Sequence, residues 1–235
     1  MAKGKVSVMG WLGRAVACLL LLLLLWNAWM LAQIVAWRWI NPGQTAFMAE
    51  QLERLQAQDP AAELQFTWVD YAQISPNLKR ALVAAEDAKF LNHEGFDWEG
   101  MQAAWEKNLQ KGRIVAGGST ISQQLAKNLF LSSSRNPLRK VQEAILTVMI
   151  EACWDKQRIF EVYLNVIEWG DGVFGAEAAA RHYYKTSAKR LGAGQAAKLA
   201  SMVTNPRYYD KNRSDRRLLR KTAIIQRRMA YADIP

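Results

Sequence analysis

"GGSTISQQLAKN", residues 117–128, opens a helix and makes it do more than pack. The two glycines permit a sharp turn and a close backbone approach. Thr120-x-x-Gln123 has the form of a capping box, so a helix is expected to begin there. Within it Ile121, Leu125 and Leu129 form an apolar stripe, while Thr120, Gln123, Gln124 and Lys127 fall on other faces and can line a cleft. A capped amphipathic helix explains the cap and the leucines. It does not explain two glutamines and a Lys–Asn pair in so short a run. A helix start behind two glycines is also a candidate anion site.

The sequence on either side is helical in the same manner. Ser75–Pro76 reads as an N-cap with proline at the first helical position, ahead of "NLKRALVAAEDAKF" (77–90). Asn136–Pro137 repeats the device before "LRKVQEAILTVMIEACW" (138–154), and Asp155 caps "KQRIFEVYLNVIEW" (156–169). Further helices are expected in "GAGQAAKLASMV" (192–203) and "DRRLLRKTAIIQRRMAYA" (215–232). Strand-like alternation is weak and confined to "LQFTWVDY" (64–71). The glycine-punctuated "NLQKGRIVAGG" (108–118) reads as a mobile loop, a membrane-touching jaw or an ordinary surface loop. The class is mainly α.

At the N-terminus, Leu19–Leu25 is unbroken leucine and no charge lies between Arg14 and Arg38, enough for the roughly 20 residues of a spanning helix. Asn27 and Gln33 are the strongly polar residues inside it. Trp26, Trp29, Trp37 and Trp39 cluster toward its far end, as indoles do at the lipid boundary. A cleaved signal would have a shorter apolar core and a small-residue cleavage site, so an uncleaved anchor is the better reading. Lys3, Lys5 and Arg14 precede the span and keep that end cytoplasmic. The expected layout is a tail over 1–14, an anchor over 15–37, a helix-prone linker over 38–59 and one folded domain over 60–235.

Of the chain's 31 Lys+Arg residues 27 follow residue 40, as do all 21 acids, leaving the outer domain about +6. That excess suits anionic lipid or phosphate partners, and an exported domain rarely meets nucleic acid. Cys18 lies in the span and Cys153 in the domain, so no disulfide framework is expected.

"EDAKFLNHEG" (86–95) offers two adjacent carboxylates and one of the chain's two histidines. Neighbours on a helix point about 100° apart, so Glu86 and Asp87 cannot share a proton as a dyad. Glu86 would share a face with Leu82, Val83 and Phe90. Desolvation there strengthens a carboxylate as a base. Read alone, the stretch fits a solvated helix end better than an active site. A zinc site on His93 would need a second histidine or cysteine at suitable spacing, and His182 and Cys153 are remote. "RKVQE" (139–143) is by itself a surface ion pair, worth little. With Lys127, however, Arg139 and Lys140 make a cationic set suited to a pyrophosphate.

In order along residues 60–230, these motifs resemble those of the peptidoglycan glycosyltransferases of family 51. "EDAKFLNHEG" matches E-D-x-x-F-x-x-H-x-G, and "GGSTISQQLAKN" matches G-G-S-T-I-T-Q-Q-L-x-K-N except at Ser122. "RKVQE" matches R-K-x-x-E, and "KQRIFEVYLN" (156–165) matches K-x-x-I-L-E-x-Y-L-N with Phe160 for leucine. "RKTAIIQRRM" (220–229) resembles the family's arginine-led terminal motif.

The resemblance implies a lysozyme-like, mainly helical glycosyltransferase domain behind a single transmembrane helix, and polymerisation of lipid II into glycan strands. It implies that Glu86 is the catalytic base and Glu143 a second essential acid. It places Lys127, Arg139 and Lys140 on the leaving pyrophosphate, with Ser119, Thr120, Gln124 and Asn128 in the donor-side cleft. Asp87, Phe90 and His93 would support Glu86. A divalent cation, Mg2+ or Mn2+, is compatible with the family and an organic cofactor is not implied. Expected partners are lipid II, the growing strand and proteins of cell division or elongation, at a bacterial inner membrane with the domain periplasmic. The chain has no S-x-x-K and no K-T-G, so a monofunctional enzyme without transpeptidase activity is expected. A wall hydrolase on a related scaffold and a catalytically dead recruiting partner are the rivals. The cations and anchor argue against the first, Glu86 and Glu143 against the second.

Overall fold

The anchor helix α1 spans Val8–Ala36 and its apolar span runs from Trp11 to Ala36. In the computed structural model, which describes residues 8–113, 117–133 and 136–235, the Leu19–Leu25 side chains are all exposed. Its C-terminal end is docked instead. Met30 and Ile34 are buried, and Gln142 donates to Asn27 Oδ1 at 3.2 Å. Trp154 Nε1 donates to the Ile34 carbonyl at 2.7 Å, and Arg158 reaches the carbonyls of Trp37 and Ile40. A polar side chain in a span thus finds a partner on the domain, the usual condition for keeping one there.

The segment after the anchor forms α2 (Ala46–Gln56), capped by Thr45 and packed on the later helix α5. Then follow β1 (Gln65–Phe66), α3 (Pro76–Glu86) and α4 (Trp98–Lys111). The centre of the fold is α5 (Ile121–Phe130), α6 (Pro137–Cys153) and α7 (Lys156–Val166). Next come β2 (Glu168–Gly170), β3 (Val173–Phe174) and α8 (Ala176–Tyr184). The chain closes with α9 (Ala193–Met202), α10 (Pro206–Lys211) and α11 (Arg216–Arg228). The three strands form one small sheet in the order β1-β3-β2, with β1 parallel and β2 antiparallel to β3. The class is mainly α, as expected.

The caps act where the sequence places them. Ser75 accepts from Asn77 N, Asn136 from Leu138 N and Asp155 from Arg158 N, and Thr120 and Gln123 make both bonds of the capping box. The core runs through Leu78 and Leu82 on α3, Ile121 and Leu125 on α5, Ile150 on α6, and Phe160 on α7. Small side chains at Ala196, Ala197 and Ala200 let α9 lie close beneath α3 and α11.

Three helices stop short of their expected ends: the one expected through Ala232 ends at Arg228 and gives way to a 3-10 turn over Met229–Tyr231, and two others are cut by tertiary partners. The helix expected through Phe90 ends at Glu86, and Phe90–Asn92 forms a separate 3-10 turn, so Phe90 does not share a helical face with Glu86. The one expected through Trp169 ends at Val166, because Glu168–Gly170 pairs with β3. Conversely, residues 108–111 of the expected loop belong to α4, and 114–116 lie outside the described residues. Trp98, Trp105 and Leu109 on α4, and Leu138, Val141, Ile145 and Val148 on α6, form exposed apolar stripes at helical spacing. Patches of that kind mark contact surfaces.

Candidate active site

Glu86 is the last residue of α3, and the reason the helix ends there is Asp87. Asp87 is extended (φ −161°, ψ 78°). Its carboxylate accepts from Ile121 N at 3.0 Å and meets His93 Nε2 at 3.0 and 3.1 Å. A carboxylate at the first turn of α5 is favoured by the unpaired N–H groups and the helix dipole. The anion-site expectation for that helix start is therefore corrected: its Ile121 N–H is taken by the chain's own Asp87. The adjacent carboxylates point apart because Asp87 has left the helix.

Glu86 is held from two directions. Gln124 Nε2 donates to Oε2 at 3.1 Å, and Lys221 Nζ lies 3.4 Å from Oε1. The amide oxygen of Gln124 accepts in turn from Tyr163 OH at 3.0 Å, which fixes which way the amide faces. Burial, reinforced by the carboxylates of Glu86 and Asp87, pushes the Tyr163 phenol well above its ordinary value of 10, so it stays a donor. Beside Glu86 lies a groove of about 200 Å³ lined by Ala85, Asp97, Gly117, Gly118 and the exposed Ser119. Gly118 is where α4 comes closest, since a Cβ there would meet Met101 Cα at 3.1 Å.

The cationic half sits farther along α5. Lys127 is half-buried, and no carboxylate of the described residues comes within salt-bridge distance of it. Burial lowers its pKa, with Arg139 and Lys140 acting the same way, while Glu143 and Glu86 oppose the shift. Lys127 therefore feels both halves of the site. On α6 the buried Glu143 accepts from Arg139 Nη1 at 3.2 Å and from Lys140 Nζ. Arg139 Nε is buried without a hydrogen-bond partner among the described residues, which leaves a guanidinium donor uncommitted.

The remaining candidates separate by what they touch. Thr120 Oγ1 caps α5 and donates to the Gly95 carbonyl at 2.6 Å, and buried Asn128 donates to the Gln124 carbonyl at 2.7 Å. Phe90 is fully buried, 5.5 Å from the Phe160 ring. A buried polar knot lies beneath: Glu151 accepts from Ser122 and from Lys156 Nζ at 2.8 Å, and Lys156 also reaches the His93 carbonyl at 2.6 Å. Ser122, the position that departs from the family's threonine, thus uses its hydroxyl to tie α5 to α6. Sequence reasoning missed Tyr163, Glu151, Lys156 and Lys221 as parts of the site. All but Glu151 sit inside the quoted motifs.

Among the described residues, no three His, Cys, Asp or Glu side chains gather as metal ligands, and Cys18 and Cys153 are free. Both Glu143 oxygens are taken by Arg139 and Lys140, so Glu143 as placed here does not fit as a ligand of Mg2+ or Mn2+.

A family model described as "Transglycosylase" matches residues 51–230. The chain belongs to the transglycosylase family. It is 71% identical over 225 residues to the biosynthetic peptidoglycan transglycosylase of Laribacter hongkongensis, covering 96% of this chain and 99% of that one. Its identity to the protein of that name from Chromobacterium violaceum is 64%, covering 94% and 97%, and from Dechloromonas aromatica 63%, covering 95% and 99%. The resemblance read from the motifs is thereby shown, and with it a glycosyltransferase of peptidoglycan synthesis on a lysozyme-like helical fold. The family match begins inside α2, so the helix after the anchor is part of the transglycosylase body.

Proposed function

We propose that this transglycosylase polymerises lipid II, undecaprenyl-pyrophosphoryl GlcNAc-MurNAc-pentapeptide, by inverting glycosyl transfer. Glu86 takes the proton from the acceptor's GlcNAc 4-hydroxyl, and that oxygen attacks C1 of the donor MurNAc. The C1–O bond to phosphate breaks, α becomes β, and undecaprenyl pyrophosphate leaves. Lys127, Arg139 and Lys140 stabilise the negative charge that builds on the departing pyrophosphate, and Glu143 holds Arg139 and Lys140 in place. Ser119 contributes a hydroxyl at the rim of the groove, and Gln124 orients the base.

The observation that carries this reading is Lys127, a half-buried cation with no ion-pair partner among the described residues, on the same helix as Gln124 and electrostatically coupled to both Glu86 and the Arg139–Lys140–Glu143 knot. A charge partly removed from water and left uncompensated is costly. A pyrophosphate would compensate it. One base and a set of cations suffice for this chemistry, because a phosphate ester leaves without strong acid assistance. A retaining glycosidase would need two carboxyl groups close together.

The anchor and the exposed stripes on α4 and α6 support a place at the membrane surface, with the N-terminus cytoplasmic and the domain periplasmic at the inner membrane. Lipid II and the growing strand are the partners of the site, and proteins of division or elongation are its expected company. No transpeptidase step is included.

The test is labelled lipid II with the purified full chain. Wild type should yield glycan polymer and Glu86→Gln none. Undiminished polymer from Glu86→Gln would sink the base assignment, and degradation of preformed strands would favour a hydrolase.

A further inference from the structure

We infer that Lys221, on the C-terminal helix α11, is a positioning residue that sets the orientation of the Glu86 carboxylate for proton transfer. This rests on Glu86 being the base. The carboxylate ends in a torsion that is broad and roughly two-fold in its preferences, so one hydrogen bond does not fix its plane. Gln124 holds Oε2 and Lys221 holds Oε1, and together they do.

Lys221 reaches inward because of where it falls on α11. Leu218 and Ile225, on either side of it, are buried and seat the helix on α9 and α3. Its neighbour Thr222 donates to Ser201 Oγ on α9 at 3.1 Å. Arg216, Arg217, Arg220, Arg227 and Arg228 face solvent, while Lys221 is only 30% exposed and Glu86 10%.

The contact is geometric more than electrostatic. Other charged or titratable groups already act on Glu86: Lys127 from α5, the Tyr163 hydroxyl from α7, and Asp87 beside it. At 3.4 Å the lysine contact is longer than the 2.7–2.9 Å or so of a tight charge-assisted bond. Oε1 is therefore the less committed oxygen, free to take a proton while Lys221 keeps it aimed.

The experiment is steady-state lipid II polymerisation by the full chain in detergent, comparing wild type, Lys221→Gln and Lys221→Arg. Arg217→Gln, an exposed change on the same helix, is the control. Lys221→Gln should lower kcat about tenfold with KM within about twofold. Lys221→Arg should recover most of that loss, and the melting midpoints of all variants should stay together. A rise in KM at unchanged kcat would overturn the inference by making Lys221 a substrate-binding cation. Full turnover in Lys221→Gln, or equal losses in the Gln and Arg variants, would overturn it too. Its failure is separable from that of the proposed function, because wild type and Glu86→Gln report on the base independently.

Discussion

Replacing Lys127 with methionine should make the protein more stable and nearly inactive. The side chain is half-buried, and desolvation, with Arg139 and Lys140, outweighs Glu143 and Glu86 in setting its pKa below 10.5. The folded state is therefore carrying a cation that it holds less well than water does. Methionine keeps an unbranched apolar stem and removes the charge. It orphans no carboxylate, because Glu143 retains Arg139 and Lys140, and Glu86 retains Gln124 and Lys221. Relief of this kind is worth about 1 kcal/mol, or about 2–4 °C in melting midpoint for a domain of this size. Loss of an oxyanion donor should meanwhile cost about 100- to 1,000-fold in kcat/KM. The pH dependence follows from the direction of the shift. Between the lowered folded pKa and 10.5 the unfolded chain binds a proton that the folded chain does not, so wild-type stability rises with pH there. The variant's advantage is thus full below the folded pKa and closes as pH approaches 10.5. Thermal melts followed by tryptophan fluorescence across that range, with polymerisation assays alongside, measure both effects. A variant less stable than wild type would show that Lys127 is a structural cation and would refute the reasoning.

Two other side chains give equally direct tests. Asp87→Ala removes the acceptor for Ile121 N and His93, and should cost about 3 kcal/mol as a charged hydrogen bond and a helix-terminal charge are lost together. The melting midpoint should fall by about 6–12 °C, and a fall of under about 2 °C would show that this cap is not holding α5 to the loop. Tyr163→Phe leaves the Gln124 amide oxygen without its donor and should cost about 1–3 kcal/mol of stability. Kinetic assays should show a lower kcat at unchanged KM, and a changed KM with normal kcat would place Gln124 on substrate instead.

What was legible in the sequence was local or charge-patterned: the caps of α3, α5, α6 and α7, the anchor, and the cationic motifs around Glu143. What was not legible depends on partners far along the chain. The end of α3 at Glu86 is decided by Ile121 and His93 pulling Asp87 out of the helix, and no propensity rule within 77–90 carries that information. The helix α4 went unrecognised because Trp98, Trp105 and Leu109 face outward and Ala104 is its one buried residue. An apolar stripe pointing away from the core gives no core-facing signal. Lys221 lies inside the quoted terminal motif, but its role was not legible there because its partner Glu86 is 135 positions away.

The two halves of the proposed site share one rigid element, and that constrains the chemistry. Ile121, Gln124 and Lys127 follow one another at intervals of three along α5. The first receives Asp87, the second holds Glu86, and the third faces the Arg139–Glu143 knot. At about 1.5 Å of rise per residue, the base's holder and the cation lie about 4.5 Å apart along the axis. The proposed inverting displacement would put nucleophile and leaving group on opposite sides of one carbon, so the proposed proton acceptor and cations would have to be separated by a fixed and short distance. A helix capped at one end by its own box and pinned there by Asp87 cannot vary that spacing without breaking backbone hydrogen bonds. Glu86 and Glu143 come from different helices, and α5 is the gauge between them. That accounts for Gln124 and Lys127 on a helix that packing alone would have filled with other side chains, while Gln123 closes the capping box and Asn128 bonds the Gln124 carbonyl.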